Sequence, residues 1–408
     1  MHNHSIRPAP KKATGTRSDH FDRLAIDACQ IIPIFGESLF GLATPSLATT
    51  DSGSDRAFRR ARYHFSMKRR IVLFALVASI FVLAGMAARL LTTFEEPAVD
   101  PAWALTASPE IPDGSVTVRY TGTSTLLFSD GETDWMVDGW FSRFAPLEFM
   151  FSKIGPDEEA IALGLERNHV DRLAVVIPIH SHFDHAMDAP EVARRTGAIL
   201  LGSPSTANIG RGWGLDESQI RIAVGGEPVR FGEFTITLIE TKHFAFPDPA
   251  LAERALADPL IDEPLVPPVS ALDYRVGQPY AIHVSHPLGR WLIQGSAGYI
   301  EGGLSGYDAD VVFLGVGGLG AQTEAYREAY WRETVTAIGA RRVIPVHWDS
   351  LTGPAEGPFT GPVRASSFVN SSGGAQTLEF LKAKEASQPD LQFSTLPRFD
   401  EVVLFRAP

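Results

Sequence analysis

The chain has 408 residues but a single cysteine, Cys29. One thiol excludes an internal disulfide framework and cannot build a thiolate metal site alone, so any bound metal must be held by histidines and carboxylates. Positive charge is also scarce: 36 Lys and Arg against 48 Asp and Glu leave a net charge of −12. Binders of a nucleic-acid backbone need a basic footprint, so no nucleic-acid partner is expected. No internal repeat is evident. Hydrophobic residues at 44% and charged residues at 21% are otherwise those of a globular protein.

From Met1 to about Ser66 there is no sustained apolar period, only a short patch from Ile31 to Leu47. Residues 1–66 read as a disordered tail, or as sequence upstream of a natural start at Met67. Charge is then absent from Ile71 to Ala88, a run long enough for a bilayer core. Arg59, Arg60, Arg62, Lys68, Arg69 and Arg70 precede it, and Glu95, Glu96 and Asp100 follow it. The positive-inside rule puts the N-terminus in the cytoplasm and everything after the helix outside. Residues 67–91 therefore read as a transmembrane signal anchor, or as a signal peptide cleaved near Gly85-Met86-Ala87. The expected location is periplasmic or extracellular, membrane-anchored, or secreted if the segment is cleaved. The Pro- and Ala-rich residues 92–114 read as a linker.

From Ser115 the pattern turns to strands that end in polar candidates. Val116 to Tyr120 alternates, Thr125 to Ser129 follows, and Asp130-Gly131 marks a turn. Trp135 to Val137 leads into Asp138. Leu173 to Ile179 is a nearly continuous apolar run, as in a strand buried on both faces, and it leads to His180. Ala189 to Thr196 reads as a helix and Ala198 to Leu201 as a strand. Phe234 to Ile239 stops before His243. Tyr280–Ser285 and Arg290–Ile293 form a hairpin, Val311–Leu314 a buried strand, Thr323–Ile338 a helix, and Val343–Val346 a strand ending at His347. Chemistry in α/β folds sits at such strand ends.

The run His180-Ser181-His182-Phe183-Asp184-His185 puts four potential ligands in six residues. After a strand, alternate residues point to one side, so His180 and His182 can share one metal while Asp184 and His185 turn toward another. Zinc needs several neutral imidazoles and an open position, and this turn supplies most of them. A polar surface loop is the bland alternative, but a lone His-X-His would suit it better than this string does.

The string resembles the His-X-His-X-Asp-His signature of the metallo-β-lactamase-fold superfamily, from about Ser115 to the C-terminus. The resemblance implies an α/β, four-layer αβ/βα sandwich over residues 115–408 with the metal site at one edge between two sheets. It implies that His180, His182 and His243 hold a first metal, and that Asp184, His185 and His347 hold a second. Asp138 resembles the residue that ends the early strand and orders the metal loop. Where two-metal members carry a bridging Asp in Gly-Asp-Thr-Gly, this chain has Gly295-Ser296-Ala297-Gly298, which puts Ser296 at that place. The expectation is one or two zinc ions, the second bound more weakly. The His-rich, carboxylate-poor donor set favours zinc.

The implied function is metal-assisted hydrolysis. A metal-activated water attacks a carbonyl or phosphorus, Asp184 orients it and handles its proton, and Tyr299 or Lys242 stabilises the oxyanion. The Val-His-Trp ending and the spacing look most like the branch of ascorbate-phosphate lactonase-like and N-acyl-phosphatidylethanolamine phospholipase D-like enzymes. A phosphodiester or lipid-like ester is therefore the first expectation, with a small-molecule or lipid-like substrate partner. A lactonase or β-lactamase-type hydrolase is the alternative, and a metal-stabilised non-catalytic binding module a third, of another class.

Three further features stay ambiguous in sequence. Gly315-Val316-Gly317-Gly318-Leu319-Gly320 matches a dinucleotide fingerprint, but the next strand ends at His347 where an acidic residue is wanted, so a tight loop beside the metal site is expected instead. The aromatics from Trp140 to Phe151 suit either a core or a substrate wall facing a lipid surface. Residues 247–279, with seven prolines between Pro247 and Pro279, suit either a lid or a plain surface insertion.

Overall fold

A computed structural model describes residues 53–246, 249–257, 259–364 and 373–407. Most of the expected tail, with Cys29, the patch from Ile31 to Leu47 and His2, His4 and His20, lies outside the described residues, as does Pro247.

One helix spans Gly53–Thr92, so residues 53–66, read from sequence as tail, are helical. Extending an existing helix costs far less than nucleating one, which lets the Arg-rich flank join the apolar run. Its Arg62–Thr92 stretch reaches a mean hydropathy of 2.7 and is long and apolar enough to cross a membrane. Side chains such as Phe74 and Phe81 are exposed on it.

The remaining residues form two seven-stranded sheets. In chain order β1 (Val116–Gly122), β2 (Thr125–Ser129), β3 (Asp134–Val137), β4 (Val175–Ile177), β5 (Ile199–Gly202) and β6 (Ile220–Ile222) lie side by side in the first. The second holds β7 (Pro228–Phe231), β8 (Phe234–Glu240), β9 (Tyr280–His286), β10 (Gly289–Gln294), β11 (Val311–Gly315), β12 (Arg342–Val346) and β13 (Gln392–Phe393). Last in the chain, β14 (Val402–Phe405) returns to pair antiparallel with β1.

Strand alternation decides the layers. Leu126, Phe128, Trp135, Val137, Val175 and Ile177 point toward the second sheet and share one core with Phe234, Trp291 and Phe313. Phe128 stacks on Trp135 at 4.7 Å and meets Phe313 edge-on at 5.3 Å. The intervening Leu127, Met136, Val176 and Leu200 pack on Ile161, Leu165, Val192 and Ala193 of the helices Glu158–Arg167 and Ala189–Thr196. On the outer side of the second sheet lie the helices Glu324–Trp331 and Gly374–Ser387, where Tyr330 donates to the Gly315 carbonyl and Trp331 meets Phe380. Each such buried side chain stabilises by about 1.5–3 kcal/mol. This helix–sheet–sheet–helix arrangement fits the expected sandwich.

Two local expectations shift. Buried strand β4 stops at Ile177 rather than Ile179. Pro178 has no N–H to give a ladder, and the Ile179 N–H is taken by Asp138 Oδ1 at 2.9 Å. Nor is the stretch 92–114 a free linker. Phe94 bridges Val363, and Ala104 bridges Thr395. Trp103 is 5% exposed, stacks on Phe393 at 4.9 Å and donates its indole N–H to Glu385 at 2.9 Å. A large aromatic with one polar atom is well served by such a place, apolar with a single acceptor.

The candidate metal centre

The ends of β3, β4, β8 and β12 deliver the predicted residues to one edge of the sandwich. After β4, Ile179 leads to His180, and His182 starts a single helical turn, Phe183–Ala186, that carries Asp184 and His185. His243 follows β8 and His347 follows β12. Two triplets result: His180, His182 and His243, and then Asp184, His185 and His347, each with ligand atoms within 4.8 Å of one another. The structure thus brings six of the candidate ligand residues together in two groups.

Distances within the triplets suit a shared ion. His180 Nε2 and His182 Nδ1 lie 3.1 Å apart, close to the roughly 3.3 Å that two nitrogens at zinc–nitrogen bond length subtend in a tetrahedron. Asp184 Oδ2 is 3.2 Å from His347 Nε2 and 3.5 Å from His185 Nε2. The outer nitrogens are tied off. His243 Nδ1 lies 2.8 Å from the Phe244 carbonyl and donates to it. His185 Nδ1 lies 2.9 Å from Asp138 Oδ2 and donates to it. Each bond fixes a tautomer that leaves a lone pair on Nε2, the usual support for a metal-binding imidazole.

Asp138 is fully buried, with φ of 60°, a left-handed backbone that Asp tolerates better than most residues. Its Oδ2 also accepts from Ser124 Oγ at 2.6 Å. His347 and Thr123 share that left-handed region, at φ of 58° and 55°. They hold each other, because the His347 N–H donates to the Thr123 carbonyl at 2.5 Å. Asp349 Oδ1 in turn accepts from the Thr123 N–H at 2.7 Å and from the Tyr120 hydroxyl at 3.2 Å. Strained backbone of this kind persists only where its surroundings hold it, and it gathers at functional sites.

Electrostatics keep the donors competent. Burial, reinforced by neighbouring imidazoles, pushes His180 and His243 well below the usual histidine pKa, so both stay neutral at pH 7. Burial opposes the charge on Asp184, but His185, His347 and His182 outweigh it and hold the carboxyl well below its ordinary value. His185 moves up: burial opposes its proton, and Asp138 and Asp184 prevail. Neutral His180 and His243 and an ionised Asp184 are the protonation states a cation requires, and a cation at His185 Nε2 would have to displace the proton that the two carboxylates favour. The donor set and its geometry fit a divalent metal.

The other expected residues separate. Ser296 is 4% exposed and its Oγ has no hydrogen-bond partner among the described residues. Its neighbours pack on both sides of the centre: a Cβ on Gly295 would stand 3.2 Å from Ser124 Oγ, and one on Gly298 would collide with the backbone of Lys242 and His243. Lys242 is exposed. The Tyr299 ring packs against Tyr326 at 5.3 Å and Tyr330 at 6.4 Å. The glycine-rich loop lies beside the centre, for a Cβ on Gly317 would stand 2.7 Å from His347 Nδ1.

The ambiguous segments also resolve. Trp140 and Phe141 are core, whereas Phe149 is half-buried against Phe183 at 5.0 Å and Phe151 is exposed. Within 247–279, Ile261 is pinned to Ser205 and Asn208, and Val269 pairs with Ile154. That part of the insertion is fastened rather than free. Sequence reasoning passed over Ser124, Asp349 and Asp188. Asp349 lies two residues after His347, and Asp188 three after His185, which were the only signals available.

No protein-family profile and no curated protein matches the chain. Solved structures similar to it include metallo-hydrolases and a metallo-β-lactamase-fold protein. Igni18, a metallo hydrolase from Ignicoccus hospitalis, is 17% identical, with a TM-score of 0.41 over 71% of this chain and 97% of that one. An isothiocyanate hydrolase from Delia radicum gut bacteria is 13% identical, with a TM-score of 0.42 over 71% of this chain and 100% of that one. The metallo-β-lactamase-fold protein YhfI from Bacillus subtilis is 17% identical, with a TM-score of 0.32 over 57% of this chain and 86% of that one.

Proposed function

We propose that the chain is a metal-dependent hydrolase of the metallo-β-lactamase type, zinc-loaded, acting on a phosphodiester or lipid-like ester. One observation carries this reading: two triplets of His and Asp donors converge at one sheet edge, with the outer nitrogens of His185 and His243 already engaged. His180, His182 and His243 would hold one ion, and Asp184, His185 and His347 a second, with Ser296 supplying no charge between them. A divalent metal bound there supplies Lewis acidity that polarises the substrate's electrophilic bond.

The protein's own groups do the rest. Asp184, kept ionised by its imidazole neighbours, would orient the attacking water by accepting its hydrogen bond. Asp138 and Ser124 hold the His185 ring. Phe149 and Phe183, both half-buried, offer an apolar wall to a lipid-like substrate. The helix Gly53–Thr92 would anchor the enzyme, with its catalytic part outside the cytoplasm. Neither Tyr299 nor Lys242 is given a role in this mechanism.

Metal analysis of the purified chain and hydrolysis assays on phosphodiester, lactone and β-lactam panels test the proposal. Zinc is expected, with turnover of the phosphodiesters that His182→Ala abolishes. Metal-free protein, or activity that survives His182→Ala, refutes the mechanism. Turnover of lactones or β-lactams alone moves the substrate class.

A further inference from the structure

Arg143 is a half-buried guanidinium with most of its donors unspent. Its Cζ lies 3.7 Å above the Trp140 ring, and its one hydrogen bond among the described residues is from Nη1 to the adjacent Ser142 carbonyl at 3.2 Å. It forms no ion pair with any described carboxylate. Asp188, the nearer candidate along the chain, is occupied: its Oδ2 accepts from the Phe141 and Ser142 N–H groups at 2.8 and 2.7 Å, and its Oδ1 from Ser142 Oγ at 2.8 Å.

Arg143 also lies between the two walls that position the second triplet. On one side, Nη2 comes within 3.0 Å of where a Cβ on Gly122 would stand, and Asp349 Oδ2 within 2.6 Å of the same point. Gly122 precedes Thr123, whose carbonyl holds the His347 N–H. On the other side Trp140 meets Phe183 edge-on at 5.8 Å, and Phe183 sits between His182 and Asp184. Burial is the largest influence on Arg143 and, with Arg398 nearby, disfavours its charge more than Asp349 and Asp188 favour it. A planar fork held by an aromatic face, partly stripped of water, with no hydrogen bond at Nε or Nη2 among the described residues, is suited to bidentate capture of an anionic group.

Resting on the hydrolase reading, we propose that Arg143 recognises a second anionic group of the substrate, a carboxylate or a phosphate apart from the scissile bond. The substrate would thus be cleaved at the metals and held at Arg143.

The test compares three 4-nitrophenyl esters: one with a neutral acyl chain, one ending in a carboxylate, and one ending in a phosphate. In Arg143→Met, which keeps the length and the contact with Trp140, KM for the favoured anionic ester should rise by about tenfold to a hundredfold at near-constant kcat. The neutral ester should be unaffected, which also shows that the variant folds. Arg143→Lys should recover part of the loss. The preferred terminus identifies the anion. Calorimetric titration of the full chain with inorganic phosphate and with succinate gives a readout free of turnover: affinity for one of them should fall in Arg143→Met. Equal effects on all three esters, or unchanged anion affinity, overturn the inference. If the native chain turns over neither these esters nor the phosphodiester, lactone and β-lactam panels, yet loses anion affinity in the variant, the hydrolase reading fails and the anion site stands.

Discussion

Replacing Asp138 by Asn should weaken the second triplet while leaving the fold in place. Asn is among the few residues that accept φ near 60°, so the backbone carries little added strain. Shape is also retained. What changes is the direction of two hydrogen bonds. If the new amide oxygen keeps the Ile179 N–H, its NH2 faces Ser124 Oγ and His185 Nδ1, which now sit 2.6 and 2.9 Å from a carboxylate oxygen. Against an NH2 donor His185 must present a lone pair at Nδ1, which moves its proton to Nε2, the atom aimed at Asp184. That tautomer cannot ligate. Loss of such an outer partner costs about 10–100-fold in metal affinity, roughly 1.4–2.8 kcal/mol. Zinc titration against a competing chelator reads the two sites separately: affinity at the His185 site should drop in that range, with the His180, His182 and His243 site nearly unchanged. Equal affinities in native and variant protein would show that the Asp138–His185 bond does not set the tautomer.

Three other substitutions probe the frame. Trp103→Ala should cost about 3–5 kcal/mol in urea unfolding, and a loss below about 1 kcal/mol would mean that residues 92–114 are a linker after all. Gly317→Ala places a Cβ 2.7 Å from His347 Nδ1 and 2.9 Å from its carbonyl, so zinc affinity at the second triplet should fall with a modest stability loss of about 1–3 kcal/mol; unchanged zinc binding would contradict that packing. Burial lifts the Asp188 carboxyl to about 6 from 3.8. Because the folded pKa is raised, its contribution to stability is complete below about pH 4 and is lost as pH rises through about 6, amounting to about 3 kcal/mol. Asp188→Asn should remove that part of the slope, and parallel stability–pH curves for the two proteins would count against it.

Much of this protein is set locally. Alternation in Val116–Tyr120 and Phe234–Ile239, the unbroken run before His180, and the charge-free stretch from Ile71 to Ala88 are read from neighbours along the chain. The string from His180 to His185 likewise names its own chemistry, since imidazoles and a carboxylate two residues apart share a side of one turn. His243 and His347 were found through the resemblance and through their places after strands, yet nothing local shows that they meet. Only the stacking of two sheets brings them within a few ångströms of that turn. The left-handed backbones of Thr123, Asp138 and His347 and the burial of Trp103 belong to the tertiary structure, as do the open donors of Arg143 beside Gly122. Each depends on contacts between residues tens to hundreds of positions apart, which no local period encodes. The sequence by itself determined which atoms can bind a metal. Tertiary packing decided which of their lone pairs point inward.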